Sequence, residues 1–333
     1  MVSRHELTVT KSIQRSTGPT FHLATRFLPR RIRHQTYVLY GFFRVADEIV
    51  DDPDPPSPSE QRVALNHLQE MVLGDRPPAN PVLSAFATVY RETAITETEI
   101  EYFLDSMRMD IDTREYETIE ELDGYLRGSS VAVANMMLAI MNPSEPEVAR
   151  PHAKALGEAF QLTNFLRDVR EDIIEYNRVY LPKAMMRRNG VSRRELAEGE
   201  ISHRFAAVMG ELLEETETRY RAGVAGIKYL PDDCQFPVLI ASVFYAEYHR
   251  LIRAQQFDVL TSRPRIPHHR YLSLLVQTAI HWWRSGDPEA VFYRVSAVDP
   301  PSEVTARDDV RRLVSLGDIV HRVKRVIPSG YTR

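Results

Sequence analysis

The chain has 333 residues, 43% of them hydrophobic and 26% charged, with a formal net charge of −4. That is the composition of a globular protein of one large or two ordinary domains, and its slight acidity argues against a nucleic-acid partner. Cys234 is the single cysteine, which excludes a disulfide framework and the Cys-rich zinc sites.

The first stretch, MVSRHELTVTKSIQRSTG, lacks the apolar segment of a secretory signal. The longest apolar runs, VAVANMMLAIM and PVLIASVFYA, fall short of the ~18 residues of a membrane span. A soluble protein of a reducing compartment, the cytoplasm, is the expectation. Helical periodicity then dominates in chain order. Segments 33–50, 57–74, 96–111, 121–141 and 147–176 read as helices, and so do 203–228, 235–257, 270–285 and 304–326. Breakers such as PDPPSPS, GDRPPANP, SRPRIP and VDPPS separate them, and Ser59, Thr96 and Ser144 are plausible caps. Neither strand alternation nor an internal repeat stands out. The reading is a single all-α domain of roughly ten helices, with a tail after Asp299 that is loosely attached.

The segment FRVADEIVDDPDPP puts Asp47, Glu48, Asp51 and Asp52 on the last turns of a helix. Four residues of helix advance ~6 Å, so Asp47 and Asp51 lie on one face, in the stripe of Tyr40, Phe43 and Arg44. Anions at a helix C-terminus and like charges four apart both oppose this arrangement. Either something positive offsets them, or the helix end stands in open water.

A second helix repeats the pattern. In GEAFQLTNFLRDVREDIIEYNRVYLP, Asn164, Asp168 and Asp172 line one face over ~12 Å, with Gln161 extending the stripe and Arg167, Arg170 and Arg178 close by. Two helices with carboxylates four apart beside aromatic surface suit a shared cluster of hard cations. Mg²⁺ takes one or two carboxylates and completes its shell with water and substrate phosphates. Arginines would grip the same phosphates. The alternative is a surface helix laced with Arg–Asp pairs. A carboxylate-bridged di-iron bundle would need Glu-x-x-His on two helices; only Glu200–His203 fits, with Asp318–His321 a loose echo.

These stretches resemble the phytoene/squalene synthase family, the head-to-head prenyl synthases. FRVADEIVDD is similar to its first Asp-rich motif and QLTNFLRDVREDIIEYNRVYLP to its second. TFHLATRFLPRRIRHQTYVLYGFFR resembles its N-terminal signature, and ELDGYLRGSSVAVANMM its central helix. The resemblance covers roughly residues 16 to 260. It implies an isoprenoid-synthase-type bundle around an apolar channel: a catalytic domain over 16–285, an N-terminal extension over 1–15 and a helical tail over 286–333.

By the same resemblance, Asp47, Asp51, Asn164, Asp168 and Asp172 are ligands of Mg²⁺, with Mn²⁺ the alternative ion. Arg44, Arg167 and Arg178 neutralise phosphate; Tyr40, Tyr125 and Tyr245 face the reacting carbons; Gln161, Thr20 and Phe21 help to hold substrate. The implied reaction joins two geranylgeranyl diphosphates into phytoene without NADPH, the alternative being squalene or dehydrosqualene from two farnesyl diphosphates. Head-to-tail elongation needs Asp-Asp-x-x-Asp twice, whereas the second motif reads DVRED. A terpene cyclase lacks the trailing RVYLP, and an inactive scaffold would have lost ligands. Four departures from the family pattern stand out: Pro19 in STGPTF, Glu48 where many relatives have Asp, Asn177 in place of the common Gly before Arg178, and RGSSVAVAN in the central helix, whose bulk would alter the channel. An oil-like product implies peripheral membrane contact, for which Trp282 and Trp283 are candidates.

Overall fold

The computed structural model of the chain describes residues 2–301 apart from 53, 76 and 77. The helix read over 304–326 and the Asp318–His321 pair lie outside the described residues. Among these residues there is no strand, only one parallel bridge between Glu115 and Val179. The first helices are α1 Arg4–Thr17, α2 Pro19–Thr25, α3 Arg30–Val50, α4 Pro58–Leu73, α5 Pro81–Glu92, α6 Glu97–Asp112 and α7 Ile119–Leu126. A π-helical turn over Arg127–Ala132 leads into α8 Val133–Met141. Then follow α9 Pro146–Glu175, α10 Lys183–Arg188, α11 Arg193–Glu198, α12 His203–Val224, α13 Asp232–Ala254, α14 His268–Ser285 and α15 Pro288–Val295.

That is more than the ten helices expected. The additions are mostly short, such as α2, α10 and α11, which make too few turns to show a period. α1, in the stretch read as an extension, packs on α3 and α5 with Thr10 and Gln14 fully buried.

Two expected caps are displaced. Ser57 caps α4 in a reciprocal box with Glu60, and Ser59 is already inside the helix. α9 opens at Pro146 with Glu145 as its N-cap, so Ser144 lies outside. In both cases a proline takes the first helical position, where its missing N–H costs nothing, and the cap falls on the residue before it. Thr96 does stand at the N-cap of α6, but its side chain makes no capping bond.

The core has three parts. One joins α3, α4, α5, α6 and α8 around Phe42, Phe86 and Phe103, with the Phe42 and Phe86 rings stacked 3.8 Å apart. A second packs α7 and the middle of α9 against α12 through Leu126, Leu162, Leu166 and Leu212. A third gathers α12, α13, α14 and α15 around Tyr220, Phe244 and Phe292.

The central helix changes pitch at Arg127. Glycine is required at position 128: a Cβ there would come within 2.2 Å of the Tyr102 carbonyl oxygen on α6. Arg127 clamps the turn to Glu99 of α6 with two bonds of 2.8 and 3.0 Å, and Asn135 donates to the same carboxylate at 2.9 Å. π turns inside helices are frequent at functional sites, and this one, RGSSVA, forms part of a cavity wall through Ser129 and Ser130.

Candidate active site

A cavity of about 1540 Å³ runs through the bundle, walled by α2, α3, the π turn and α8, α9, α13 and α14. Every residue to which the family resemblance gives a metal, phosphate or substrate role lines it: Thr20, Phe21, Tyr40, Arg44, Asp47, Asp51, Tyr125, Gln161, Asn164, Arg167, Asp168, Asp172, Arg178 and Tyr245. The two acidic rows therefore open on one space, each at the C-terminal end of its helix. The reading of the first helix end as an isolated, solvated acidic terminus does not hold.

Cations stand where the helix ends need them. Arg44 Nη1 donates to Asp47 Oδ2 at 3.0 Å one turn along α3. Arg178 Nη1 donates to Asp51 Oδ1 at 2.7 Å from the segment after α9. Arg167 Nε donates to its neighbour Asp168 at 2.7 Å, and its guanidinium lies over the Tyr248 ring at 4.8 Å. Asn164 Nδ2 reaches Gln161 Oε1 at 3.4 Å, which orients that amide pair along α9.

Arg178 is held by backbone as well as charge. Its N–H donates to the Asp172 carbonyl at 2.8 Å, and the next residue, Val179, donates to the Arg114 carbonyl at 2.8 Å. Asn177, immediately before it, has φ of +57°. That left-handed conformation suits glycine best and asparagine next, so Asn177 can hold this turn where the resemblance leads one to expect glycine.

Burial governs the charge state of the acids. It pushes the Asp47 carboxyl up to about 7 against the pull of Arg44, with Asp51 and Asp110 adding to the rise. It also drives Asp172 well above the ordinary carboxylate range, helped by Asp168 and Glu171. Arg167 and Arg178 are pulled the other way: burial disfavours their charge, but Asp168 and Asp110 respectively outweigh it and hold them protonated. Arg44 Nε is buried with no hydrogen-bond partner. An excess of desolvated acids and an orphaned guanidinium N–H beside them fit a dication together with an anion. Among the described residues no three His, Cys, Asp or Glu side chains converge closely enough to cage a metal alone.

Aromatic rings form the next layer. Tyr40 stacks on Phe21 at 5.8 Å and accepts a hydrogen bond from Thr17 at 3.1 Å. Tyr245 stacks on Phe160 at 4.6 Å, and Tyr180 on Phe165 at 3.8 Å. Thr20 bonds Tyr271 at 2.7 Å, tying α2 to α14.

Two further residues belong to this site. Asp110, 3% exposed at the end of α6, accepts from Tyr125 Oη at 2.9 Å and from Tyr180 Oη at 3.4 Å, and lies 3.6 Å from Arg178 Nε. Burial lifts its carboxyl to about 6 against the pull of Arg178. Arg263, in the loop before α14, reaches Asp168 Oδ1 at 2.8 Å and pairs with Glu171. Neither carries a local signal: Asp110 lies in the unremarkable MRMDIDT, and Arg263 is one of two arginines in the loop stretch SRPRIP. By contrast, Glu200 and His203 are both exposed and outside the cavity, which removes the di-iron alternative. Trp282 packs on Phe236, ring centroids 6.0 Å apart, and is a helix-packing residue.

An all-α bundle whose acid-bearing helices share one aromatic-lined apolar cavity is the architecture of an isoprenoid synthase, and the chain is a prenyltransferase of that fold. It belongs to the squalene/phytoene synthase family, which it matches over residues 14–270. It is similar to the phytoene synthase of Rhodobacter capsulatus, 29% identical over 84% of this chain and 83% of the relative. The phytoene synthase of Cereibacter sphaeroides is 31% identical over 79% of this chain and 76% of the relative. Among solved structures, a dehydrosqualene synthase in complex with a ligand superposes with a TM-score of 0.74 at 27% identity, covering 81% of this chain and 94% of that one.

Proposed function

We propose that the chain is a phytoene synthase, condensing two geranylgeranyl diphosphates head to head through prephytoene diphosphate to phytoene and releasing diphosphate. The observation that carries this reading is that both acidic rows and the tyrosines open on one large apolar cavity, beside the likeness to two phytoene synthases. Asp47 and Asp51 on one side, and Asn164, Asp168 and Asp172 on the other, would hold Mg²⁺, or Mn²⁺ in its place. All five are oxygen donors, as a hard dication requires. When bound, the metal supplies Lewis-acid stabilisation of the departing pyrophosphate.

The chain's own residues do the rest. Arg44, Arg167 and Arg178 stabilise charge on the phosphates as fixed cations. Tyr40, Tyr125 and Tyr245 offer ring faces to the allylic cation. Thr20 and Phe21 border the substrate, and Gln161 orients Asn164. Asp110 acts behind these: it accepts a hydrogen bond from Tyr125 and forms an ion pair with Arg178, which orients both. The apolar walls exclude water, which would quench the cation to an alcohol.

Dehydrosqualene formation from farnesyl diphosphate is the second reading, favoured by the likeness to the dehydrosqualene synthase structure. Incubation with Mg²⁺ and each diphosphate in competition, with and without NADPH, decides between them. The expected outcome is preferential use of the C20 substrate and a C40 product independent of NADPH. A C30 product overturns the first reading, and no consumption of either substrate overturns both. We place the enzyme in the cytoplasm at a membrane surface, because its product dissolves only in lipid. Among the described residues no helix is long and apolar enough to cross a membrane.

A further inference from the structure

α3 carries charge against its own dipole at both ends. A helix favours anions at its N-terminus and cations at its C-terminus. α3 begins RRIRH and ends ADEIV, with no acid in its first turn and no base in its last. The acidic end belongs to the active site. The basic end lies 21 residues away, about 30 Å along the helix, and the active site does not account for it.

Neighbouring helices enlarge this basic region. Lys11 and Arg15 stand one turn apart on the exposed side of α1, and His22 lies on α2 with Arg26 at its C-cap. Burial first, and then cations alone, hold both nearby histidines below their ordinary value. Arg26, Lys11 and Arg15 act on His22; Arg30, Arg33 and Lys11 act on His34. Arg31 is taken up by Asp233 at 2.7 Å, and Arg33 donates to the Arg26 carbonyl at 3.2 Å. Among the described residues, Lys11, Arg15, Arg30 and Arg33 form no salt bridge. The patch borders the cavity through Arg15, His22 and Arg26. Apolar side chains line the cavity beside it: Leu23 of α2, Phe27 just after that helix, and Leu272 of α14, which is 61% exposed and so stands at the cavity's edge.

We infer that the face carrying Lys11, Arg15, Arg30 and Arg33, together with the apolar rim at Leu272, docks on an anionic lipid bilayer, with the diphosphate end of the cavity turned away from it. Charge complementarity selects the partner: unpaired cations around an apolar opening match anionic headgroups over hydrocarbon. This specifies the surface behind the membrane contact proposed above. The release of product into lipid rests on that reading, whereas the docking itself does not need turnover.

The test is co-sedimentation of the full chain, without substrate, with vesicles of phosphatidylcholine alone or mixed with phosphatidylglycerol. Binding is expected only to the mixed vesicles and is released on raising salt from about 0.1 to about 0.5 M. Each surface cation contributes roughly fivefold, so the Lys11→Gln/Arg30→Gln variant binds about thirtyfold more weakly. Its melting temperature and its turnover in detergent micelles stay at wild-type values. Equal binding to neutral vesicles, or undiminished binding by the variant, overturns the inference. So does retention by polyglutamate without vesicle binding, which would assign the patch to an acidic protein. Turnover in micelles without vesicle binding sinks the docking alone; vesicle binding without turnover sinks the enzymatic reading and leaves the docking standing.

Discussion

Arg178 and Asp51 are joined Nη1 to Oδ1 at 2.7 Å across 127 positions of sequence. The same guanidinium lies 3.6 Å from Asp110. One side chain, 7% exposed, thus ties the end of α3, the end of α6 and the segment after α9 into a single acidic rim. Replacing it with alanine leaves buried carboxylates uncompensated. Arg178→Ala is expected to cost about 3–5 kcal/mol of stability and roughly a hundredfold or more in turnover. Arg178→Lys keeps the charge but not the fork, so it should recover much of the stability and little of the rate. Urea melts and steady-state assays of both variants check this; an alanine variant that melts like the parent would count against the tie.

Desolvated carboxyls, half-buried at Asp47 and buried at Asp110, give the metal-free enzyme a pH dependence of defined sign. Asp47 and Asp110 sit at about 7 and about 6, against about 4 in an unfolded chain. Between about pH 4 and 7 the folded state therefore holds more protons than the unfolded one, and stability falls as pH rises through that window. Mg²⁺ needs the ionised carboxylates, so its binding releases protons and strengthens with pH through about 7. Thermal melts across this range, with and without MgCl₂, should show a falling melting temperature without metal and a growing metal increment. A constant increment would contradict the proposed ligands.

Asp110→Asn separates charge from shape. The amide oxygen can still accept from Tyr125, but the ionic hold on Arg178 is lost. Turnover is expected to fall by about ten- to a hundredfold, and the loss of stability between pH 4 and 7 to become shallower, since a buried carboxylate no longer has to ionise. An unchanged rate would reduce Asp110 to a structural role.

Two glycines in the central helix should respond in opposite ways to the same change. A Cβ at Gly124 meets nothing within 4 Å, so Gly124→Ala should stabilise by about 0.4–1 kcal/mol through helix propensity. At Gly128 the new carbon would meet the Tyr102 carbonyl and Ser106 at 2.2 and 2.6 Å. Gly128→Ala should cost about 1–3 kcal/mol as α6 and the π turn are forced apart. Thermal melts of the pair decide; a tolerated Gly128→Ala would mean that the close approach does not govern this turn.

The spacing of Asp47 with Asp51, and of Asn164 with Asp168 and Asp172, was readable in the chain because a helix places residues four apart on one face whatever surrounds it. The long helices were readable for the same local reason. The π turn was not, because it follows from the contact of Gly128 with α6 and not from any period in RGSSVA. Asn177 stood out only as a departure from a family pattern, and its positive φ explains it afterwards.

Local order thus determined the helical class, the two acidic faces and the aromatic stripes beside them, since each depends on residues within a few turns of one another. Tertiary structure alone decided that the two faces share one cavity, that Asp110 and Arg263 join them, and that the basic start of α3 lies among the cations of α1 and α2. Those relationships depend on which distant segments pack together and on how much water that packing removes. Desolvation and long-range charge pairing arise only when the chain has closed on itself.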